Sequence, residues 1–511
     1  MEAHDTTAGK VWTQAKEMLD TVCAYLESPE ALAMSHSQLE SVVDTRGREV
    51  LRLLVQGNIT LRARLEACEP IVPVTDSQGD EHTHVRQHRR MLETLFGAVE
   101  VVRRGHGGRE MKSLHPLDAR LNLPPELYSH GLRRRVAFSA ALASFDAVQA
   151  TLKLTTGAHV PKRQLEQLVR RAARDFLGFY EAKAETADKA GEILVLSLDG
   201  KGVVMRMEDL LPATQKKARA KKPKRAKRTS PGEKRNAKRM ATVAAVYTIA
   251  PHIRTPEEVA TPPKKEDRKP APRPVGKRVW ASLERPMKVV IEEMFEEALR
   301  QDPAGAKMWV CLTDGNPTQI RLMKKHAKVI GAKMTLVVDI IHVLEYLWKC
   351  APAFHKDTST AEAEAWVTER LLRILKGESS LVAGGLRRSA TLRGLSEKAR
   401  APVDRCANYL LKLRDYLQYD LCLGAGYPIG TGVIEGACRH LIKDRMDVTG
   451  ARWTLVGAEA VLMLRALVSS GDFDAYWDYH EAREFERHHA AVIPFLRRDQ
   501  PGTEVPCAIA V

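Results

Sequence analysis

ILVLSLDGKG at residues 193–202 and MWVCLTDGN at residues 308–316 decide the fold, because each is an apolar strand that stops at Asp-Gly. The two-residue period of a strand puts Leu194, Leu196 and Leu198 on one face and Val195, Ser197 and Asp199 on the other. Asp199 therefore ends the first strand, and Asp314 ends the second in the same way. Two such strands bring two carboxylates to the rim of a sheet, where open α/β folds gather ligands. Taken singly, each Asp-Gly is an ordinary turn after a strand. A third acid changes that reading.

The third acid is Glu435, within GYPIGTGVIEGACRH at residues 426–440. The Gly and Pro residues end whatever precedes, and Gly432, Gly436 and Ala437 let a helix over 433–443 approach a sheet closely. Ile434, Cys438 and Leu441 form its apolar stripe, with Glu435 and Arg439 one above the other on the adjacent face. A Glu435–Arg439 salt bridge is the competing reading. Three carboxylates suit hard cations, Mg2+ or Mn2+. Two such ions, about 3.5–4 Å apart, activate a hydroxyl and stabilise the leaving 3′ oxygen in phosphodiester cleavage. Asp199 is expected to bridge the two ions, Asp314 to hold one, and Glu435 to hold the other or orient the attacking water.

Around these strands, apolar runs at 240–249 and 334–338 alternate with helical patterns at 287–300 and 319–329, which predicts an α/β layer with a partly parallel sheet. The run 216–239 is too charged to pack, and 251–274 carries seven prolines, so both are expected as surface loops. After Asp339 the pattern turns helical at 340–351, 361–376, 394–400 and 402–419. Asp339 and His342, one helical turn apart, can pair with each other or bracket a DNA phosphate.

The N-terminal region is expected to be helical over 11–65, with a strand or hairpin around 96–102. His84 and His88 would share a face of a helix, but lack further ligands at metal-site spacing. A helix over 144–154, a Thr-Thr-Gly-Ala-His turn and a helix opening at Pro161 read as helix-turn-helix, exposing Lys162, Arg163, Arg170 and Arg171 to DNA. A helical hairpin with a solvated charged face is the competing reading. Beyond Glu435, the residues Lys443, Arg445, Arg452 and Trp453 could hold a phosphate backbone and stack a base, unless Trp453 is core.

Lys and Arg outnumber Asp and Glu by 80 to 64 over 511 residues, a charge of +16 that favours a polyanionic partner. Much of the excess lies in the basic run, where Lys221, Lys222, Lys224 and Arg225 would add sequence-independent DNA affinity. Eight cysteines without a Cys-x-x-Cys pair point to free thiols in a reducing compartment and away from a zinc finger. The first 19 residues do not fit a secretory signal, and no apolar stretch is long enough for a membrane helix. The expected location is the cytoplasm, with access to DNA.

The motifs LSLDGKG (196–202), LTDGN (312–316), VVDIIH (337–342) and GVIEGACRH (432–440), together with HPLDARLNLPP (115–125), resemble bacterial insertion-sequence transposases of the DDE class, particularly the ISKra type, related to Mutator-like elements. Such enzymes carry a Cys/Asp-x-x-His motif after the second catalytic aspartate, which Asp339 and His342 match. The resemblance implies an RNase H-like core with an N-terminal helical DNA-binding region and an all-α insertion before the last catalytic residue. It also implies binding to inverted-repeat transposon ends and target DNA, as a homodimer or higher oligomer.

On that basis the expected domains are 1–124, mainly helical; 125–190, helix-turn-helix-like; 191–342, the first part of the core, with a basic loop at 214–239 and a Pro-rich loop at 251–275; 343–425, the helical insertion; 426–470, the last core helices; and 471–511, a tail. Two other functions fit the same sequence. One is a transposase-derived DNA-binding protein that no longer cuts, the other a stand-alone RNase H-like nuclease.

Overall fold

In the computed structural model the chain divides into two units, one formed by residues up to 183 together with those from 471 onward, the other by residues 184–470. The structure describes residues 2–184, 193–220, 237–264, 266, 270–448 and 450–492. No helix among the described residues is long and apolar enough to cross a membrane.

The first unit opens with helices Glu2–Leu26 and His36–Cys68. A small strand pair, β1 (Val74–Thr75) and β2 (Glu81–His82), precedes a longer hairpin of β3 (His84–Thr94) and β4 (Gly97–Gly107). Ile59 of the second helix packs with Leu92, Val99 and Val101 of the hairpin. Its polar side chains also satisfy the open edge of β4. Gln56 exchanges two hydrogen bonds with the Glu100 backbone (2.9 and 2.7 Å), and Glu66 accepts the Arg104 N–H at 2.8 Å. His84 and His88 therefore lie on a strand, where the expectation was a helix, and His88 Nδ1 sits 2.9 Å from His115 Nε2.

Helix Phe145–Thr156, capped by the Ser144 hydroxyl, ends at Gly157 in the left-handed region (φ +69°). Helix Lys162–Ala172 follows, with Pro161 as its cap residue. The segment expected as a tail contains the 17-residue helix Phe473–His489, which belongs to this unit. Glu484 in that helix pairs with Arg133, 2.8 Å away and 1% exposed.

The second unit is built on a five-stranded sheet in the order β7-β6-β5-β8-β9. The strands are β5 (Ile193–Val204), β6 (Lys238–Ile249), β7 (Val275–Ser282), β8 (Met308–Thr313) and β9 (Met334–Val338). Antiparallel pairing joins β5, β6 and β7, while β5, β8 and β9 run parallel. Helices Met287–Gln301 and Pro317–Ile330 supply the connections that parallel strands require. The chain thus has a mixed α/β core, as expected, with a fifth strand, β7, that follows the Pro-rich segment.

Beyond β9 come helices Ile340–Cys350, Ala361–Leu375, Ser379–Leu392 and Glu397–Leu413. The last of these runs through Pro402, where the sequence suggested a break. Burial of Val403, Cys406, Ala407 and Leu410 outweighs the one backbone hydrogen bond that proline removes.

Candidate functional site

The site lies where the parallel pairing of β5 and β8 stops; β5 itself continues past Asp199 to Val204, still paired with β6, so Asp199 does not end its strand as expected. Ser197 is level with Leu312 in the parallel ladder, so continuing the register by two residues sets Asp199 level with Asp314. Neighbouring strands are about 4.8 Å apart. Asp199 accepts the N–H of Gly200 at 2.6 Å and the thiol of Cys438 at 3.2 Å. Asp314 accepts the N–H of Asn316 at 2.8 Å, and its carbonyl receives the Tyr409 hydroxyl at 3.3 Å. Tyr409 in turn stacks on Tyr346, with ring centroids 4.0 Å apart.

Glu435 is exposed on a six-residue helix, Gly432–Ala437, one turn before Cys438. Partial burial and the charges of Asp339 and Asp199 push its carboxyl above the ordinary value, with His342 working against them. The helix continues as a π-helical turn over Cys438–Lys443. Such a turn changes the spacing of side chains, and π turns are frequent at functional sites. Arg439 faces Asp444 at 3.7 Å, not Glu435, which removes the salt bridge that competed for that glutamate.

Asp339 is fully buried at the end of β9, where its N–H bonds to Thr313 O at 2.8 Å, next to Asp314. His342 Nδ1 lies 3.3 Å from Asp339 Oδ2. Hydrogen bonding to Asp339 raises the imidazole above its usual range, aided by the charges of Asp339 and Asp314. Sequence reasoning missed Thr431, Tyr409 and the role of Cys438. Thr431 stands at the cap position before Gly-Val-Ile-Glu, which could have marked it. Nothing local marks Tyr409, because its contact with Asp314 spans 95 residues.

Asp199, Asp314 and Glu435 fit hard divalent ions by their donors: all are carboxylates, and no Lys or Arg pairs with them among the described residues. Their ligand atoms do not all fall within 4.8 Å of one another. The set that does, among the described residues, is Asp175, His480 and Glu484. There Glu484 meets Arg133 at 2.8 Å and Asp175 meets Arg487 at 2.5 Å, so guanidinium groups already neutralise the carboxylates.

Of the side chains expected on DNA, Arg163, Arg170, Lys443 and Arg452 are exposed. Lys162 is exposed but paired with Asp146 at 2.8 Å, and Arg171 is paired with Glu126 at 2.9 Å. Arg445 and Trp453 correct the expectation. Arg445 is 3% exposed and Trp453 8%, with the guanidinium 4.9 Å from the ring centroid and Trp453 Nε1 donating to Met446 O at 3.0 Å. Buried groups cannot reach a phosphate or a base. Lys221, Lys222, Lys224 and Arg225 lie outside the described residues.

No protein-family model matches the chain, and no curated protein matches it. Among solved structures, the Drosophila P element transposase strand transfer complex matches with 12% identity over 72% of this chain and 86% of that chain. The TM-score of that match is 0.23, too low to carry an argument about fold or function.

Proposed function

We propose that the chain is a DDE transposase with an RNase H-like core, cleaving DNA at the ends of an insertion sequence and joining them to target DNA. The supporting observation is that the parallel pairing of the adjacent strands β5 and β8 stops at Ser197 and Leu312, two residues before Asp199 on one and Asp314 on the other. The helix of Glu435 is tied to the same edge through Cys438. The sheet order, with its antiparallel β5-β6-β7 and parallel β5-β8-β9, supports the RNase H-like reading.

In this reading Asp199, Asp314 and Glu435 are the residues that would hold two Mg2+ or Mn2+ ions, with Asp199 the one that would serve both. When bound, such ions activate the attacking hydroxyl and stabilise the leaving 3′ oxygen. His342, half-buried beside Asp339, offers its second ring nitrogen to a phosphate oxygen. Exposed Arg163 and Arg170 contribute to holding transposon-end DNA, and the joining of two ends calls for at least a dimer on DNA.

A strand-transfer assay with inverted-repeat end DNA, run in Mg2+ and again with EDTA, tests this. Joined products that require the metal are expected. Cleavage without joining would indicate a nuclease, and binding alone a protein that has lost its chemistry.

A further inference from the structure

Glu435 carries the third ligand of the proposed site, yet its own carboxylate makes no hydrogen bond among the described residues. Its position is therefore set by its helix. Glu435 stands in the first turn of that helical run, Gly432–Ala437 followed by the π turn Cys438–Lys443 and Asp444–Met446, where the leading backbone N–H groups have no partner within the helix. Something must hold its beginning.

The holding contact is made by Thr431, the residue before the helix. Its carbonyl accepts the Glu435 N–H at 2.9 Å. Its hydroxyl donates to Asp339 Oδ2, and its N–H donates to Asp339 Oδ1 at 3.3 Å. Asp339 Oδ1 also accepts the N–H of Ile341 at 3.0 Å. Around this pair the backbone is stitched twice more, Ile340 N–H to Ile429 O at 3.0 Å and Asp339 N–H to Thr313 O at 2.8 Å. Thr431 is 6% exposed and Asp339 0%. In such a dry setting a charge-assisted hydrogen bond is strong, and leaving the carboxylate short of donors is costly.

From this arrangement we infer that Thr431, acting through Asp339, is the positioning residue for Glu435. Asp339 joins three things: the end of β9, the β8 end that carries Asp314, and the start of the Glu435 helix. The Thr431–Asp339 link thus fixes the distance between Glu435 and Asp314. The inference rests on the carboxylate reading of the site.

The test is Mn2+ binding to the full chain, followed by titration calorimetry, for Thr431→Val, Thr431→Ser, Glu435→Gln and the double variant T431V/E435Q. Valine keeps the shape of threonine and removes only the hydroxyl. Losing a supporting contact of this kind lowers metal affinity by about tenfold or more, so Thr431→Val should show that loss, while Thr431→Ser stays within about twofold of the parent. In the Glu435→Gln background Thr431→Val should cost nothing further, since its effect passes through Glu435.

Parent-like Mn2+ affinity in Thr431→Val, or an equal loss with and without Glu435, would overturn the inference. If Glu435→Gln itself binds Mn2+ like the parent, the carboxylate reading fails and this inference falls with it. Should Thr431→Val not fold, Asp339→Asn must show the same Glu435-dependent loss, and its absence there counts against the inference equally.

Discussion

Cys438 Sγ lies 3.2 Å from Asp199 Oδ2, which ties the helix of Glu435 to the strand of Asp199. Burial pushes this thiol well above its usual range, and the Asp199 charge and hydrogen bond push it further. A protonated thiol is a poor nucleophile, so iodoacetamide should label Cys438 more than about tenfold more slowly than exposed Cys23 and Cys68 at pH 8. Asp199→Asn removes the raising charge and should speed labelling of Cys438. Peptide mass spectrometry reads both rates, and equal rates in the parent would contradict the contact.

Gly315, between Asp314 and Asn316, has φ +88°, and a Cβ there would lie 2.6 Å from the Leu413 side chain. Gly315→Ala must strain the backbone by about 1–2 kcal/mol and push against helix Glu397–Leu413. We expect a modest fall in melting temperature with a much larger fall in strand cleavage, because the strain acts on the turn that holds Asp314. Cleavage that tracks the stability loss alone would argue against this.

Buried Arg133 depends on Glu484, which lies 2.8 Å away and is itself 3% exposed. Glu484→Ala removes the nearer of the two carboxylates on this buried cation, leaving only Glu126 at 3.7 Å, and should cost about 3 kcal/mol, read by chemical denaturation. Burial acts to raise the Glu484 carboxyl, but the Arg133 charge and hydrogen bond prevail and hold it below 4.5. A depressed carboxyl stabilises the fold above its unfolded pKa. The contribution is therefore complete above about pH 5 and is lost as the pH falls through the lowered folded value. Melting temperatures across pH 3–7 should show that loss in the parent and not in Glu484→Ala.

Exposed Arg163 and buried Arg445 should separate on DNA. Arg163→Ala is expected to weaken end-DNA binding and reduce the salt slope by about one counterion. Arg445→Met should leave that slope unchanged, since its guanidinium packs over Trp453. Filter binding across a salt series decides between them.

The strand end at Asp314 was legible in the sequence because β8 is a continuous apolar run that stops at Asp-Gly. The stop read at Asp199 was wrong: β5 runs on through Gly200 to Val204, held by its pairing with β6. Strand β7 was not legible, because its Arg278 is buried by pairing with Glu297 at 2.6 Å and so interrupts the apolar pattern that marks a strand. The same disguise hid helix Phe473–His489. His480, Glu484 and His489 in it are buried through partners distant in sequence, and read locally as solvated polar residues. Trp453 misled in the opposite direction. Its basic neighbours suggested a surface, whereas its backbone exchanges hydrogen bonds with Val204 and Arg206 beside β5. The approach of Cys438 to Asp199 depends on tertiary packing across 239 residues, which no local pattern records.

The central claim is that Asp199, Asp314 and Glu435 together hold a pair of divalent ions. Anomalous scattering from a crystal of the full chain soaked in Mn2+ tests it most directly. The account predicts two manganese peaks about 3.5–4 Å apart, both against Asp199, one shared with Asp314 and the other with Glu435. Manganese at Asp175, His480 and Glu484, with none at Asp199 and Asp314, would contradict it.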